Sequence, residues 1–446
     1  MRADRPQSLS QSLAWFTSSY VVAIVGYLAV NAVAARALGS GLFGYFVIIS
    51  TVALVVGQTS LVGVHRSGLR EAARVRERTD PALPQLRDDV AVIERTTVLG
   101  FSVATGVVLF LVESGDVSSR LLLAAATAAL VAASAEQQLW ASYLRGFGET
   151  RLAGLMEGRS GGPAVAVTQA ICLVLLSLVE SQMRLASAIA ALAAGYALPT
   201  IVARITVTRR WKGLPPATDS TLRRLRRVLR RDWKFVVISS TTSLNQNVEI
   251  WIGGAFLTAQ DSSLYSASSR LAMQLLLAGI AVQVVFSPAV SRLWSRGEKE
   301  PLNQLLRTGA TLATLGLAVG WIPMLVAPEE IMALLFGDQF RSAATILVIL
   351  SLGSVINCLT GMCGTALTMS GHEGVPALVG GLTIVGRVLL GLLLVTEFGV
   401  IGLAVSAVVW SVVYNVALSM FALRRLGLNT WPTLRPRIRL LRQTEG

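Results

Sequence analysis

The chain has 446 residues, of which 53% are hydrophobic and only 14% charged, with a mean hydropathy of +0.62. A soluble domain carries about 25% charged residues, so too little polar surface remains to solvate a globule of this length, and the apolar residues come in long blocks, as lipid-spanning segments require. The net charge of +14 and isoelectric point near 10.7 do not indicate nucleic acid, because the basic residues fall in short bursts between apolar blocks, the pattern that encodes membrane orientation.

Arg2 and Arg5 precede the first block, which is long enough to cross a bilayer and has no small-residue cleavage site, so no cleavable signal is expected. In chain order the apolar segments are 12–35, 42–64, 91–113, 119–143, 161–180, 185–208, 234–257, 268–290, 304–327, 342–367, 375–396 and 400–423. Each approaches the ~20 residues that cross ~30 Å of hydrocarbon at 1.5 Å per residue. Backbone polar groups must be paired inside lipid, so these segments are expected to be helices. The alternating strands of a barrel, about ten residues each, are not visible. The expected class is an all-α polytopic membrane protein with twelve spans.

The loops set the orientation. Arg66, Arg70, Arg74, Arg76, Arg78 and Arg87 fill the second loop, and Arg145, Arg151 and Arg159 mark the fourth. The sixth is the most basic, from Arg209 to Arg231, while Arg292, Arg296 and Lys299 mark the eighth. Odd-numbered loops are short and often acidic, as at Glu113 and Asp116, Glu180, Asp261, Glu329 and Glu330, and Glu397. This alternation puts both termini and all even loops in the cytoplasm.

The sixth loop divides the chain into residues 1–208, a six-helix lobe; 209–233, a basic cytoplasmic linker; 234–424, a second six-helix lobe; and 425–446, a basic tail. Pro215-Pro216 makes a turn in the linker. Leu222, Leu225, Val228, Leu229 and Trp233 then fall at helical spacing among arginines, which reads as an amphipathic helix on the anionic inner leaflet, or a plain orientation anchor. A faint repeat supports two halves. Leu38 and Gly44-Tyr45 match Leu257 and Leu264-Tyr265, and Gly146-Phe147-Gly148-Glu149 matches Ser370-Gly371-His372-Glu373. Parallel six-helix repeats are a transporter signature.

No phosphate-binding loop, Ser-His-Asp arrangement or HExxH sequence is present, so neither an enzyme nor a cofactor is expected. Cys172, Cys358 and Cys363 lie in apolar runs without metal or disulfide spacing, and His65 and His372 are far apart. Charges inside spans are costly and therefore informative. Asn245 and Glu249 share a face of the seventh span. They read as a cavity group for a cation, proton or sugar hydroxyl, or as half of a structural ion pair. Glu136, with Gln137, sits inside the fourth span as a cavity group or as helix–helix glue. Arg387, mid-way along the eleventh, needs an anion, either a diphosphate or one of the carboxylates Glu249 and Glu136. Arg36, Arg270 and Arg341 lie near outer span ends, placed to contact a departing headgroup or to snorkel. Arg66, with Arg70, at the inner end of the second span, is placed to meet an entering headgroup or to set orientation. Asn357, Thr360, Gly361, Gly364 and Thr365 give the tenth span a small polar stripe, read as close helix packing.

Several runs carry a family resemblance. Leu264-Tyr265-Ser266-Ala267 with Arg270-Leu271, Phe286-Ser287-Pro288-Ala289, Leu335-Phe336-Gly337 with Phe340, Ala343 and Ala344, and Gly399 with Gly402-Leu403-Ala404 occur in order with matching topology. So does Ala35-Arg36-Ala37-Leu38-Gly39 before Gly44-Tyr45-Phe46. Together they resemble the multidrug/oligosaccharidyl-lipid/polysaccharide exporter superfamily, in its polysaccharide-transporter branch, over residues 12–424. The resemblance implies two six-helix bundles around a central cavity and translocation of polyprenyl-diphosphate-linked oligosaccharides across the bacterial inner membrane by alternating access. Anionic lipids and glycan-assembly proteins are the implied partners. It places Glu249 where relatives often carry an acid before an Ile-Gly pair, here Ile252-Gly253; Arg387 stands where a small or amide residue is expected. The alternatives are a multidrug exporter of the same superfamily, a peptidoglycan-precursor flippase, whose relatives carry two more helices, and a membrane polymerase or ligase, whose large outer loop is missing here.

Overall fold

The computed structural model describes residues 9–75, 82–156, 161–180, 183–214 and 220–435. Pro215-Pro216, the tail beyond 435, and Arg2, Arg5, Arg76, Arg78 and Arg159 lie outside the described residues. Every regular element among those described is helical. The chain forms two compact units, Met1–Gln246 and Asn247–Gly446.

In the first unit, α1 (Leu9–Ser60) is a helix interrupted at Gly39, whose φ of 71° and ψ of 175° leave the helical region. That break separates the first two apolar segments with almost no loop. A short α2 (Val64–Ala72) follows on the cytoplasmic side of the expected topology. Next come α3 (Ala82–Ile93), one π-helical turn (Glu94–Val98) and α4 (Leu99–Val112), which together form one continuous rod. After them lie α5 (Val117–Gly146), α6 (Thr150–Met156), α7 (Gly162–Val179) and α8 (Leu185–Thr208). The long α9 (Thr221–Phe256) begins in this unit and ends in the next.

The second unit continues with α10 (Ala259–Ala272), α11 (Leu277–Ser295), α12 (Lys299–Val326) and α13 (Pro328–Phe336). It ends with α14 (Ala344–Thr360), α15 (Cys363–Met369) and α16 (Gly374–Phe421), the last bent at Gly399 (φ 56°). Among the described residues nine segments are long and apolar enough to cross a membrane. Two of them are the bent rods that hold Gly39 and Gly399. The polar α9 is not among the nine, because after its arginine-rich start it still carries the hydroxyl run Ser239–Ser243 and Asn245-Gln246-Asn247 with Glu249.

The chemistry of these helices suits lipid. Large apolar side chains such as Val107, Leu111, Leu178, Val319 and Leu389 are exposed. Many hydroxyls return to the carbonyl one turn back, as Thr127 does to Leu123 and Thr308 to Gln304, and so are satisfied without water. The buried Gln137 donates to the carbonyls of Met156 and Gly161, tying α5 to the break before α7. Glue is thus the observed use of that amide.

The matched runs Gly146-Phe147-Gly148-Glu149 and Ser370-Gly371-His372-Glu373 have a local explanation. Glu149 N–H donates to the Leu144 carbonyl and His372 N–H to that of Leu367, around Gly148 (φ 81°) and Gly371 (φ 80°). This is one helix stop, in which the left-handed residue must be glycine for want of a Cβ clash. It recurs at Gly297, where Glu298 N–H reaches the Leu293 carbonyl. The match between halves therefore reports helix-stop chemistry.

Candidate functional site

In the second unit the structure brings two of the expected residues together. Glu249 lies two turns from the C-terminal end of α9, in the buried run Val248-Glu249-Ile250. Arg387 comes from the middle of the first arm of α16, and its Nε–H donates to Glu249 Oε1. The carboxylate side chain is 4% exposed and the guanidinium 18%. Tyr265 of α10, also buried, sits in the electrostatic field of both. Two charges at this depth are tolerable only as a pair, since their desolvation is offset by short-range attraction and hydrogen bonding. Glu249 is therefore one half of an ion pair rather than an open carboxylate.

The remaining expected residues are dispersed. Asn245, one turn before Glu249, is half-buried and belongs to the first unit. Arg270 in α10 is buried, so it does not snorkel. Arg36 is exposed in the last turn before Gly39. Arg66 in α2 is half-buried beside the buried His65.

The first unit holds a second charged cluster around Glu136. Arg204 of α8 approaches Glu136 of α5 at 3.2 Å and Glu94 of the π-turn at 3.7 Å. Trp140 Nε1–H donates to the same Glu136 oxygen at 3.2 Å, and the Arg204 guanidinium lies over the Trp140 ring at 5.4 Å. One guanidinium thus serves two carboxylates. Glu94 and Arg204 escaped the sequence reading because each lies near the end of a span, where a charge passes for an interfacial anchor. The wider π-turn at Glu94 is a feature common at functional positions.

A third cluster ties the arginine-rich start of α9 to the same unit. Arg231 contacts Asp232 at 2.9 Å, Asp89 at 3.1 Å and Glu71 at 3.6 Å. Ser67 donates to Asp232 at 2.8 Å. Two turns earlier, Arg224 pairs with Asp88 at 2.6 Å, which also holds Arg87 at 2.8 Å. The buried face of this stretch is Arg224, Val228 and Asp232, whereas Leu222, Leu229 and Trp233 are exposed. Burial pushes the His65 imidazole down to about 4, helped by Arg66 and opposed by Asp232. Burial likewise lowers the Arg66 guanidinium from its usual range. Burial works against the Arg231 charge as well, but Asp232, Asp89 and Glu71 more than compensate and raise it.

The family model described as "Lipid II flippase MurJ" matches residues 163–441. The chain belongs to the MurJ family. The MurJ match lies in the superfamily to which the sequence motifs pointed, and it takes in Glu249, Arg270 and Arg387. The expected count of twelve spans had weighed against a peptidoglycan-precursor flippase; the match places the chain with that family all the same. A solved structure, "Lipid II flippase MurJ, inward closed conformation", superposes with a TM-score of 0.66 at 12% identity, covering 96% of this chain and 89% of that one. An inward-facing multidrug resistance MATE family transporter of the MOP superfamily follows at 0.61 and 14% identity, covering 92% and 94%. At such identities these likenesses establish a common fold. A curated relative, the probable low-salt glycan biosynthesis flippase Agl15 of Haloferax volcanii, is 26% identical over 174 residues. That stretch is 39% of this chain and 37% of the relative, so the match spans little more than a third of the relative's length.

Proposed function

We propose that this MurJ-family chain is a flippase, not an enzyme, which carries a polyprenyl-diphosphate-linked oligosaccharide or polysaccharide precursor across the plasma membrane by alternating access. The observation that carries this reading is the family match over residues 163–441; the glycan-flippase relative supports it. The proposal includes twelve crossings in two six-helix halves and cytoplasmic termini. Splitting the two bent rods at Gly39 and Gly399 and adding α9 to the nine apolar segments supports that number.

The headgroup of such a substrate is doubly negative and rich in hydroxyls, and its lipid tail stays in the bilayer. Moving the diphosphate through hydrocarbon unaided costs several kcal/mol or more per ion. Arginine suits the task because its planar fork matches phosphate oxygens. Arg387, Arg270, Arg36 and Arg66 are the proposed headgroup contacts, with Glu249 orienting Arg387, and Asn245 and Glu136 are further proposed substrate- or ion-binding groups. Anionic lipids around the basic cytoplasmic loops, and glycan-assembly proteins, are the proposed partners.

The test is depletion of the protein in its host. Lipid-linked glycan should accumulate on the cytoplasmic side of the membrane, and surface glycan should fall. Unchanged glycan with new sensitivity to cationic dyes would replace this reading with drug export.

A further inference from the structure

The second unit contains a cavity of about 580 Å³ bounded by α11, α12, α14, α15 and α16. Neither Glu249 nor Arg387 lines it. Three features make it more than a packing defect.

First, it is built on a broken helix. The tenth apolar segment stops at Thr360 and restarts at Cys363, with Gly361 at φ 65° and ψ −148° between them. A Cβ at Gly361 would meet the Thr430 carbonyl oxygen at 2.5 Å, so the break is held by packing and accepts no larger residue. Non-helical backbone at membrane depth is tolerated where it is buried in protein or lines a wet cavity. Broken helices are also where transporters of several folds place their substrate sites.

Second, the wall sets the polar side chains Gln283, Asn357, Thr365, Tyr414 and Asn415 among apolar ones and carries no charged side chain. Gln283 Nε2–H donates to Thr365 Oγ1, and Asn357 Nδ2–H to Asn415 Oδ1 at 3.1 Å. Those bonds orient the amides and leave their other ends unspent. Within the described residues the amide oxygens of Gln283 and Asn357 and the Tyr414 hydroxyl take no hydrogen-bond partner.

Third, its size falls within the about 300–1,000 Å³ typical of small-molecule pockets. A cationic drug finds no carboxylate here, and a diphosphate finds no cation. A lipid tail would leave the amide oxygens without a partner, whereas a hydroxyl-bearing group would supply one. What remains is a neutral, hydroxyl-bearing group.

We propose that this cavity of the second unit is a saccharide subsite, which takes a neutral sugar residue of the lipid-linked substrate through Gln283, Asn357 and Tyr414. The inference rests on the flippase reading and adds to it a separation of labour: arginines for the diphosphate, uncharged amides for the sugar.

The experiment uses the full chain in lipid nanodiscs and two probes, undecaprenyl diphosphate and an undecaprenyl-diphosphate-linked disaccharide, with affinities measured by native mass spectrometry. The unaltered protein should bind the disaccharide-bearing lipid about tenfold more tightly, the worth of two or three neutral hydrogen bonds. Asn357→Leu, Gln283→Leu and the cavity-filling Gly364→Leu should abolish that preference and leave the affinity for the bare lipid unchanged. A Cβ at Gly364 meets only Leu418, at 3.6 Å, so Gly364→Ala fits and should keep the preference. Should a leucine variant fail to fold, maleimide labelling of Thr368→Cys, an exposed residue of the cavity wall, should be slowed by the disaccharide lipid and not by the bare one. Equal affinity for the two lipids, a preference that survives in the leucine variants, or labelling indifferent to the sugar would each overturn the subsite. Failure of the unaltered protein to bind either lipid would instead remove the flippase reading on which it stands.

Discussion

Arg387 and Glu249 decide between two roles that a charge in a span can have. Glu249 is 4% exposed and its partner is Arg387, so Arg387→Met strands a buried carboxylate. The expected loss is about 3–5 kcal/mol, as for other half-deleted buried pairs. Replacing both by apolar residues removes the stranded charge, so Glu249→Leu/Arg387→Leu should melt well above Arg387→Met in detergent. Translocation should nonetheless stay low in the double variant, because the Arg387 donors proposed for the diphosphate are gone. A double variant that melts normally and translocates normally would reduce the pair to a strut.

His65 supplies a pH dependence of known sign. Its folded value of about 4 lies below the usual 6.5, so the unfolded chain takes up a proton first as pH falls. Stability is therefore full above pH about 6.5 and declines toward pH 4, by at most about 3 kcal/mol for this residue. His65→Gln should flatten the decline in a melting series across that range. An unchanged slope would assign the effect to the neighbouring carboxylates.

At the scale of one helix, α9 shows where the sequence was readable and where it was not. Its helical character was legible from the spacing of Leu222, Leu225, Val228 and Leu229. Its buried face was not, because a one-dimensional pattern ranks leucines above arginines as core. The structure instead buries Arg224, Val228 and Asp232; Arg224 pairs with Asp88, and the adjoining Arg231 with Asp89 and Glu71, all more than a hundred residues earlier. Only the folded chain brings those carboxylates within reach.

The two arginines of this face should differ in weight. Arg224→Leu leaves Asp88 bonded to Arg87. Arg231→Leu leaves Glu71, Asp89 and the fully buried Asp232 facing one another without a cation. Hydrogen exchange over residues 221–232 should therefore rise far more in Arg231→Leu than in Arg224→Leu. Equal exchange in the two would mean that packing at Val228, not charge, holds this end of α9.

Across the whole molecule, the signals that survived translation into structure are those that need no partner. Apolar blocks became helices because hydrocarbon leaves the backbone no alternative. The breaks at Gly39 and Gly399 fall in the gaps between apolar segments, but the one at Gly361, inside the segment 342–367, was not legible, since an isolated glycine in an apolar run looks the same whether it packs or bends. The polar stripe of the tenth segment, Asn357 to Thr365, read as close packing and proved to surround a break and a cavity. For the pair Glu249–Arg387, both members were visible as charges inside spans, so pairing could be anticipated. For Glu94–Arg204 neither stood out.

Orientation is the property of the whole chain that the arginine pattern addresses most directly. Short loops rich in arginine stay in the cytoplasm because the bias acts on residues close to the span ends. Alkaline phosphatase fused after Asp116 should be active, as an external fusion, whereas fusions after Gly148, Gly213 and Gly297 should be inactive there and fluorescent as GFP fusions instead. The positions differ in what they test. Asp116 follows the single rod Ala82–Val112, and Gly148 follows Val117–Gly146, so opposite signs there fix one crossing. Gly213 and Gly297 bracket α9 and the Ala259–Ser295 rod. Equal signs at those two require an even number of crossings between them, and so require the arginine-rich α9 to span the membrane in company with its successor. Opposite signs would leave α9 on one side of the bilayer, and the count of twelve would become eleven.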